Sequence, residues 1–132
     1  MKYLVDTNIF LEVMLNQQRA QEAKSFLQKS DIHEQFMSDF SLHSIALILL
    51  RRRAFYLLER FIADTVRSGS VNVIGIPSDD LTQVIAAAQQ HGLDFDDAYQ
   101  YVLAVHNGLS IISFDADFDR TPCGRQSPDE LE

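Results

Sequence analysis

The sequence predicts an α/β domain with a central, mainly parallel sheet, and three observations carry that prediction. Short apolar segments of strand character alternate with longer segments whose apolar residues recur at helical spacing. Asp6 and Asp115 stand directly after the first and last of those strand segments. No internal repeat and no linker divides the chain. Strands that alternate with helices are joined by right-handed crossovers and therefore lie parallel. Such a sheet binds ligands outside the carboxyl ends of its strands, which is where both acids are expected.

Taken in order, Lys2 to Val5 reads as a short strand that stops at Asp6-Thr7-Asn8, residues suited to turns and helix caps. Ile9, Phe10, Val13 and Met14 then repeat at helical spacing, and a second helix runs from about Arg19 to Gln28 with Ala20, Ala23, Phe26 and Leu27 inward. Gln35 to Met37 forms a brief strand before the capping pair Ser38-Asp39. The apolar stretch Ser41 to Leu50 is too long for a strand and reads as a buried helix. A further amphipathic helix carries Phe55, Leu58, Phe61, Ile62 and Val66 until Gly69 ends it. Val71 to Ile76 is a strand, and Pro77-Ser78-Asp79-Asp80 starts a helix that closes near His91-Gly92. Asp96-Asp97 opens the last helix, with Ala98, Tyr101, Val102 and Val105 inward and Asn107-Gly108 at its end. Leu109 to Phe114 is the final strand. The domain is expected to span residues 1–120, and the polar stretch 121–132 is expected to fray.

Composition sets bounds on function. A chain of 132 residues with 46% hydrophobic and 23% charged residues suits one globular core. No apolar run reaches the ~20 residues that span a bilayer, and Asp6 comes too early for a signal peptide; a cytoplasmic protein is expected. The single cysteine, Cys123, permits no internal disulfide and no thiolate zinc site. His33, His43, His91 and His106 show no paired ligand spacing. The net charge of −8 argues against broad, charge-driven nucleic-acid binding. Its distribution is uneven, however. Arg51, Arg52, Arg53, Arg60 and Arg67 fall in one segment, and Asp94, Asp96, Asp97, Asp115, Asp117 and Asp119 in another. The basic run reads either as a grip for an RNA backbone or as a solvated helix face.

Asp97 opens a helix that enters the sheet from the same side as Asp6 and Asp115, so three acids distant in sequence converge. Two carboxylates ~4 Å apart repel by several kcal/mol at an effective dielectric near 20. They must be solvated, protonated or neutralised by a cation. All-oxygen ligation suits hard Mg²⁺ or Mn²⁺. Taken singly, Asp6 or Asp97 reads as an ordinary cap, and Asp117 and Asp119 as turn residues. The convergence is what favours a metal.

The strand followed by Asp6-Thr7-Asn8, the run Leu93-Asp94-Phe95-Asp96-Asp97-Ala98 before a helix, and Ile112-Ser113-Phe114-Asp115 after the last strand resemble the PIN-domain family. The resemblance extends roughly from Met1 to Arg120. It implies a Rossmann-like three-layer sandwich and Mg²⁺- or Mn²⁺-dependent endoribonuclease activity, by a metal-activated water. It also implies a VapC-type toxin with an antitoxin partner, and a homodimer. Asp6, Asp97 and Asp115 resemble the catalytic and metal-ligating acids, with Asp96 as an alternative register for Asp97 and Asp117 as an additional ligand. Asn8 and Ser113 resemble the supporting polar residues.

One departure stands out. The family usually carries a Glu in the helix after the second strand, where Ser44 falls here, and no Glu occurs between Gln35 and Glu59. Asp39 is a candidate to compensate and His43 to contact substrate, each with a plain structural alternative. A second reading follows from Ser44: a catalytically weakened PIN-like domain that works by binding RNA or protein. Haloacid dehalogenase-type phosphatases and response-regulator receivers are set aside. Asn8 stands where the former need a second Asp, and Lys2, Lys24 and Lys29 all lie too early for the latter.

Overall fold

The computed structural model describes residues 1–131. Strand β1 (Lys2–Val5) leads into helices α1 (Thr7–Met14) and α2 (Ala20–Leu27), then β2 (Glu34–Ser38), α3 (Asp39–Arg51) and α4 (Phe55–Phe61). Strand β3 (Val71–Ile74), helices α5 (Leu81–His91) and α6 (Phe95–Asn107), and strand β4 (Ser110–Ile112) complete the domain. The four strands form one parallel sheet in the order β3-β2-β1-β4, with Leu4 opposite Phe36 on one side and Ile111 on the other.

Side chains alternate across a strand, and that alternation sorts the sheet into two cores. Tyr3, Val5, Met37 and Ile112 face α1 to α4, where they meet Ile9, Phe10, Ala23, Phe26, Ile45, Leu49, Leu58 and Phe61. Leu4 and Ile111 face α5 and α6 and pack on Val84, Ala98, Val102 and Leu103. The result is the expected three-layer α/β sandwich with a fully parallel sheet.

The capping signals read from the sequence act at the expected places. Asp6 accepts from Thr7 N at 2.8 Å at the start of α1, and Ser38 accepts from Ser41 N at 2.8 Å at the start of α3. Gly92 and Gly108 end α5 and α6 in the left-handed conformation that a glycine adopts without strain. The helix expected through Phe55 to Val66 is interrupted: after Phe61 the chain widens into a π-helical segment, Ile62–Arg67. A period of 3.6 residues carries no signal for that wider turn.

Within the stretch expected to fray, residues 121–131 are held against the domain. Ile112 bridges Gln126 in parallel; Gln126 N donates to Ile111 O at 2.9 Å, and Ser113 N donates to Gln126 O at 3.1 Å. A short 3₁₀ turn, Pro128–Leu131, then brings Leu131 onto the core. The physical reason lies in β4, an edge strand whose backbone groups need partners. The polar composition of the stretch conceals that use. Cys123 is exposed, as expected of an incidental thiol. Among the described residues no helix is long and apolar enough to cross a membrane.

Candidate metal centre

The carboxyl ends of β1 and β4 and the first turn of α6 deliver the acids to one cleft of about 330 Å³. Asp6, Asn8, Ser44, Asp96, Asp97 and Asp115 all line it, joined by Gln100. A second hollow of about 400 Å³ lies between α1, α2 and the π-helical segment, lined largely by apolar residues such as Phe10, Met14, Leu27 and Phe61. It holds no acidic cluster, so the smaller cleft is the chemically distinctive one.

The acids of that cleft, with Asp117 beside them though not among its lining residues, divide into two environments. Asp97, Asp115 and Asp117 each present a carboxylate oxygen within 4.8 Å of the others. Asp115 folds back to accept from Asp117 N at 2.8 Å, which brings Asp117 alongside. Asp97 is 6% exposed, and its carboxyl is pushed up to about 8. Burial is the main cause, followed by the charges of Asp115 and Asp96, a hydrogen bond to Asp115 that needs the proton, and the charge of Asp6.

Asp6 is also buried, but its oxygens are occupied. Its Oδ1 accepts from Thr7 N at 2.8 Å and from Gln100 Nε2 at 3.0 Å, and its Oδ2 accepts from Ser113 Oγ at 2.7 Å. Burial raises the Asp6 carboxyl above its ordinary range; the bonds from Ser113, Gln100 and Thr7 pull the other way, and the charge of Asp115 adds to the rise. Asn8 supports this arrangement, donating to Ser113 Oγ at 3.2 Å and accepting from Phe114 N at 3.3 Å. Asp115 N donates to the same Ser113 Oγ at 2.9 Å. One hydroxyl thus ties Asp6 to Asp115.

The donor set fits a hard divalent cation. Three carboxylates face one another without a cationic side chain among them, apart from Arg120, which reaches Asp117 at 3.3 Å while donating to Gly92 O at 2.7 Å. Nearby, Gln100 Oε1 is buried with no hydrogen-bond partner among the described residues. Carboxylate and carbonyl oxygens are the ligands and water-binding groups that Mg²⁺ and Mn²⁺ favour.

Two expectations about the missing Glu resolve differently. Ser44 does line the cleft, at the face of α3 where a carboxylate would enter it. Asp39 does not. Its Oδ1 accepts from Tyr99 OH at 2.7 Å and from Phe40 N at 2.8 Å, and its carboxylate lies so close to Gly75 that a Cβ there would stand 2.5 Å from Oδ2. Asp39 therefore holds the first turn of α3 and packs on Gly75 just after β3, outside the cleft lining. His43 is exposed and is absent from the cleft lining.

Sequence reasoning missed Gln100, Ser41 and Thr7. Gln100 Nε2 bridges Asp6 to Ser41 Oγ at 2.9 Å, and Thr7 Oγ1 donates to that same Ser41 Oγ at 2.8 Å. A signal for Gln100 exists: it stands one helical turn after Asp97, on the same face of α6.

The PIN domain family model matches residues 3–122. No curated protein matches the sequence significantly. Among solved structures, VapC20 of Mycobacterium tuberculosis, described as a Sarcin-Ricin loop cleaving toxin, is similar with a TM-score of 0.76 and 22% identity, over 96% of this chain and 99% of that one. A toxin-antitoxin complex from Klebsiella pneumoniae gives 0.71 and 22%, over 96% and 97%. VapBC2 of Rickettsia felis, bound to a promoter DNA fragment, gives 0.72 and 14%, over 95% and 96%. At these identities the structures speak for the fold, and the family match covers nearly the whole chain. This chain belongs to the PIN-domain family.

Proposed function

We propose that this protein is a Mg²⁺- or Mn²⁺-dependent endoribonuclease and the toxin of a toxin-antitoxin pair. The observation that carries the reading is the cluster of Asp97, Asp115 and Asp117, two of which line one cleft with the buried Asp6 in a PIN-family chain. Mutually repelling carboxylates raise the cost of the metal-free fold, and a cation relieves it. When bound, such a cation polarises a phosphodiester oxygen and lowers the pKa of a water for in-line attack.

The chain's own residues supply the rest. Asp97, Asp115 and Asp117 would hold the cation and would have to give up any shared proton to do so. Asp6, locked by Thr7, Gln100 and Ser113, presents a fixed carboxyl to the same space. Asn8 and Ser113 keep the Asp6 and Asp115 carboxylates in register.

The toxin role rests on similarity to proteins described as toxins and toxin-antitoxin complexes. An antitoxin partner, a second copy of the chain and a cytoplasmic setting belong to the same proposal. Leu47 and Leu50 on α3 are exposed apolar residues that a second copy would cover. In contrast, Ile9 and Phe10 of α1 are consumed by the core.

Ser44 favours a second reading, a weakened domain that binds RNA or protein without cutting, because a hydroxyl adds no charge to the cleft. One assay separates the two: RNA cleavage with Mn²⁺ by wild type, by Asp6→Asn and in EDTA. Cleavage that needs both Mn²⁺ and Asp6 is expected. Folded protein that cuts no member of an RNA panel overturns the nuclease.

A further inference from the structure

Arg19, Arg60, Arg120 and Arg125 each pair with a carboxylate, at 2.9 Å to Glu22, 3.0 Å to Asp64, 3.3 Å to Asp117 and 3.4 Å to Asp119. Arg51, Arg52 and Arg53, like Arg67, are exposed and pair with none among the described residues, although the chain carries a net charge of −8. The α3 dipole favours cations at Arg51 and Arg52, so those two alone would need no further explanation.

Arg53 does need one. Arg53 N donates to Leu50 O at 3.0 Å and Ala54 N to Leu49 O at 2.8 Å, the paired bonds of a Schellman turn. Arg53 fills the left-handed position of that turn with a φ of 58°, where glycine is preferred and a side chain is strained. A third guanidinium is thus carried at a strained position. Beside it, Phe55 is 51% and Tyr56 73% exposed, and the Arg53 guanidinium lies 6.0 Å from the Phe55 ring centre.

This corner continues the acid cleft. Phe40, Ser44 and Ile48 line the cleft from one stripe of α3, and the next positions of that stripe are Arg51 and Arg52. Arg52 lies about 12 Å beyond Ser44 along the helix axis, at 1.5 Å per residue. Leu47 borders this stripe, and Leu50 lies about 100° round the helix from Arg51.

We propose that the α3–α4 corner is the docking track for single-stranded RNA, with Arg51, Arg52 and Arg53 on its phosphates and Tyr56 and Phe55 stacking its bases. The charge is complementary to a polyanion. Free arginines beside exposed aromatic rings are the combination that single strands use, and the track leads a strand into the cleft. The inference rests on the ribonuclease reading for its substrate, but it concerns binding and is tested without cleavage.

The test uses metal-free protein in EDTA and a fluorescent mixed-sequence single-stranded RNA, titrated at several salt concentrations. The triple variant Arg51→Gln, Arg52→Gln, Arg53→Gln is expected to reduce the salt slope by about 2, since each phosphate contact on a single strand contributes about 0.7. Tyr56→Ala is expected to weaken binding about tenfold with the slope unchanged. Arg53→Gly is the sharpest variant: it relieves the strained turn and should raise the melting temperature, while RNA binding falls.

Unchanged RNA binding in all three folded variants overturns the proposal, as does absence of RNA binding by wild type. A change in oligomeric mass with RNA binding intact also overturns it and assigns the corner to a protein interface. If RNA binds through the corner but is never cut, the docking track stands and the nuclease reading falls. If Asp6→Asn abolishes cutting while the corner variants bind normally, the reverse holds.

Discussion

The two halves of the acid cleft solve the same electrostatic problem in opposite ways. Asp6 is buried, and its two oxygens receive three hydrogen bonds from Thr7, Gln100 and Ser113. Asp97, Asp115 and Asp117 instead turn their oxygens toward one another. In the first half neutral donors hold both oxygens and offset part of the burial that raises the Asp6 carboxyl. The second relieves its repulsion only in part, by a proton on Asp97 and by Arg120 beside Asp117. The difference separates a hydrogen-bonded carboxyl from the proposed cation seat, and it predicts that the two halves respond differently to pH, to mutation and to metal.

The largest expected effect is that of pH on the metal-free protein. Asp97 is raised from 3.8 to about 8 in the fold, so between those values the folded state holds a proton that the unfolded chain has lost. Stability from this group is therefore full below about pH 4 and is lost as pH rises through about 8. Thermal melts in EDTA should show melting temperature falling across that window from this contribution. Mn²⁺ should remove the fall, with its apparent affinity increasing as pH rises. A melting temperature equally independent of pH in wild type and Asp97→Asn would contradict the assignment.

Next in size is the truncation of the organised half. Asp6→Ala strands the donors of Ser113 and Gln100 and removes the cap of α1, and it should cost about 2–3 kcal/mol in urea unfolding. Asp6→Asn keeps one acceptor and should cost less.

Adding a carboxylate to the cation seat has a smaller effect of the opposite kind. Ser44→Glu should tighten Mn²⁺ binding about tenfold by calorimetry, equivalent to about 1.4 kcal/mol, while making the metal-free protein less stable. The smallest effect is expected from Asp115→Asn. Relief of repulsion should raise metal-free stability at pH 8 by about 1 kcal/mol, at the expense of Mn²⁺ binding. If Asp115→Asn instead destabilised as much as Asp6→Ala, the two halves would not differ as argued.

Much of this arrangement is legible in the order of residues along the chain. Asp6 and Asp115 follow strands directly, and parallel connection alone puts such residues on one edge. Asp97 lies at the start of α6, where the capping pattern places it. The role of Asp39 is not legible. A carboxylate at a helix start looks the same whether it faces a cleft or, as here, receives a hydrogen bond from Tyr99 OH, 60 positions away. Gln100 escapes notice because a neutral amide on an apolar helix face reads as ordinary polar decoration, and its bond to Asp6 spans 94 positions.

The C-terminal stretch shows the same limit. Pro128 and Ser127 are buried and Gln126 pairs with β4, yet the local composition is that of a solvated tail. Local sequence encodes periodicity, caps and chain breaks, because those depend on neighbours a few residues apart. It therefore determined the α/β class, the element order and the edge on which Asp6, Asp97 and Asp115 meet. Which acids face one another, which are quenched by hydrogen bonds, and which polar segment covers an open strand edge depend on side chains brought together from distant positions. Only the tertiary structure decided those, because burial and donor geometry exist only once the layers have packed.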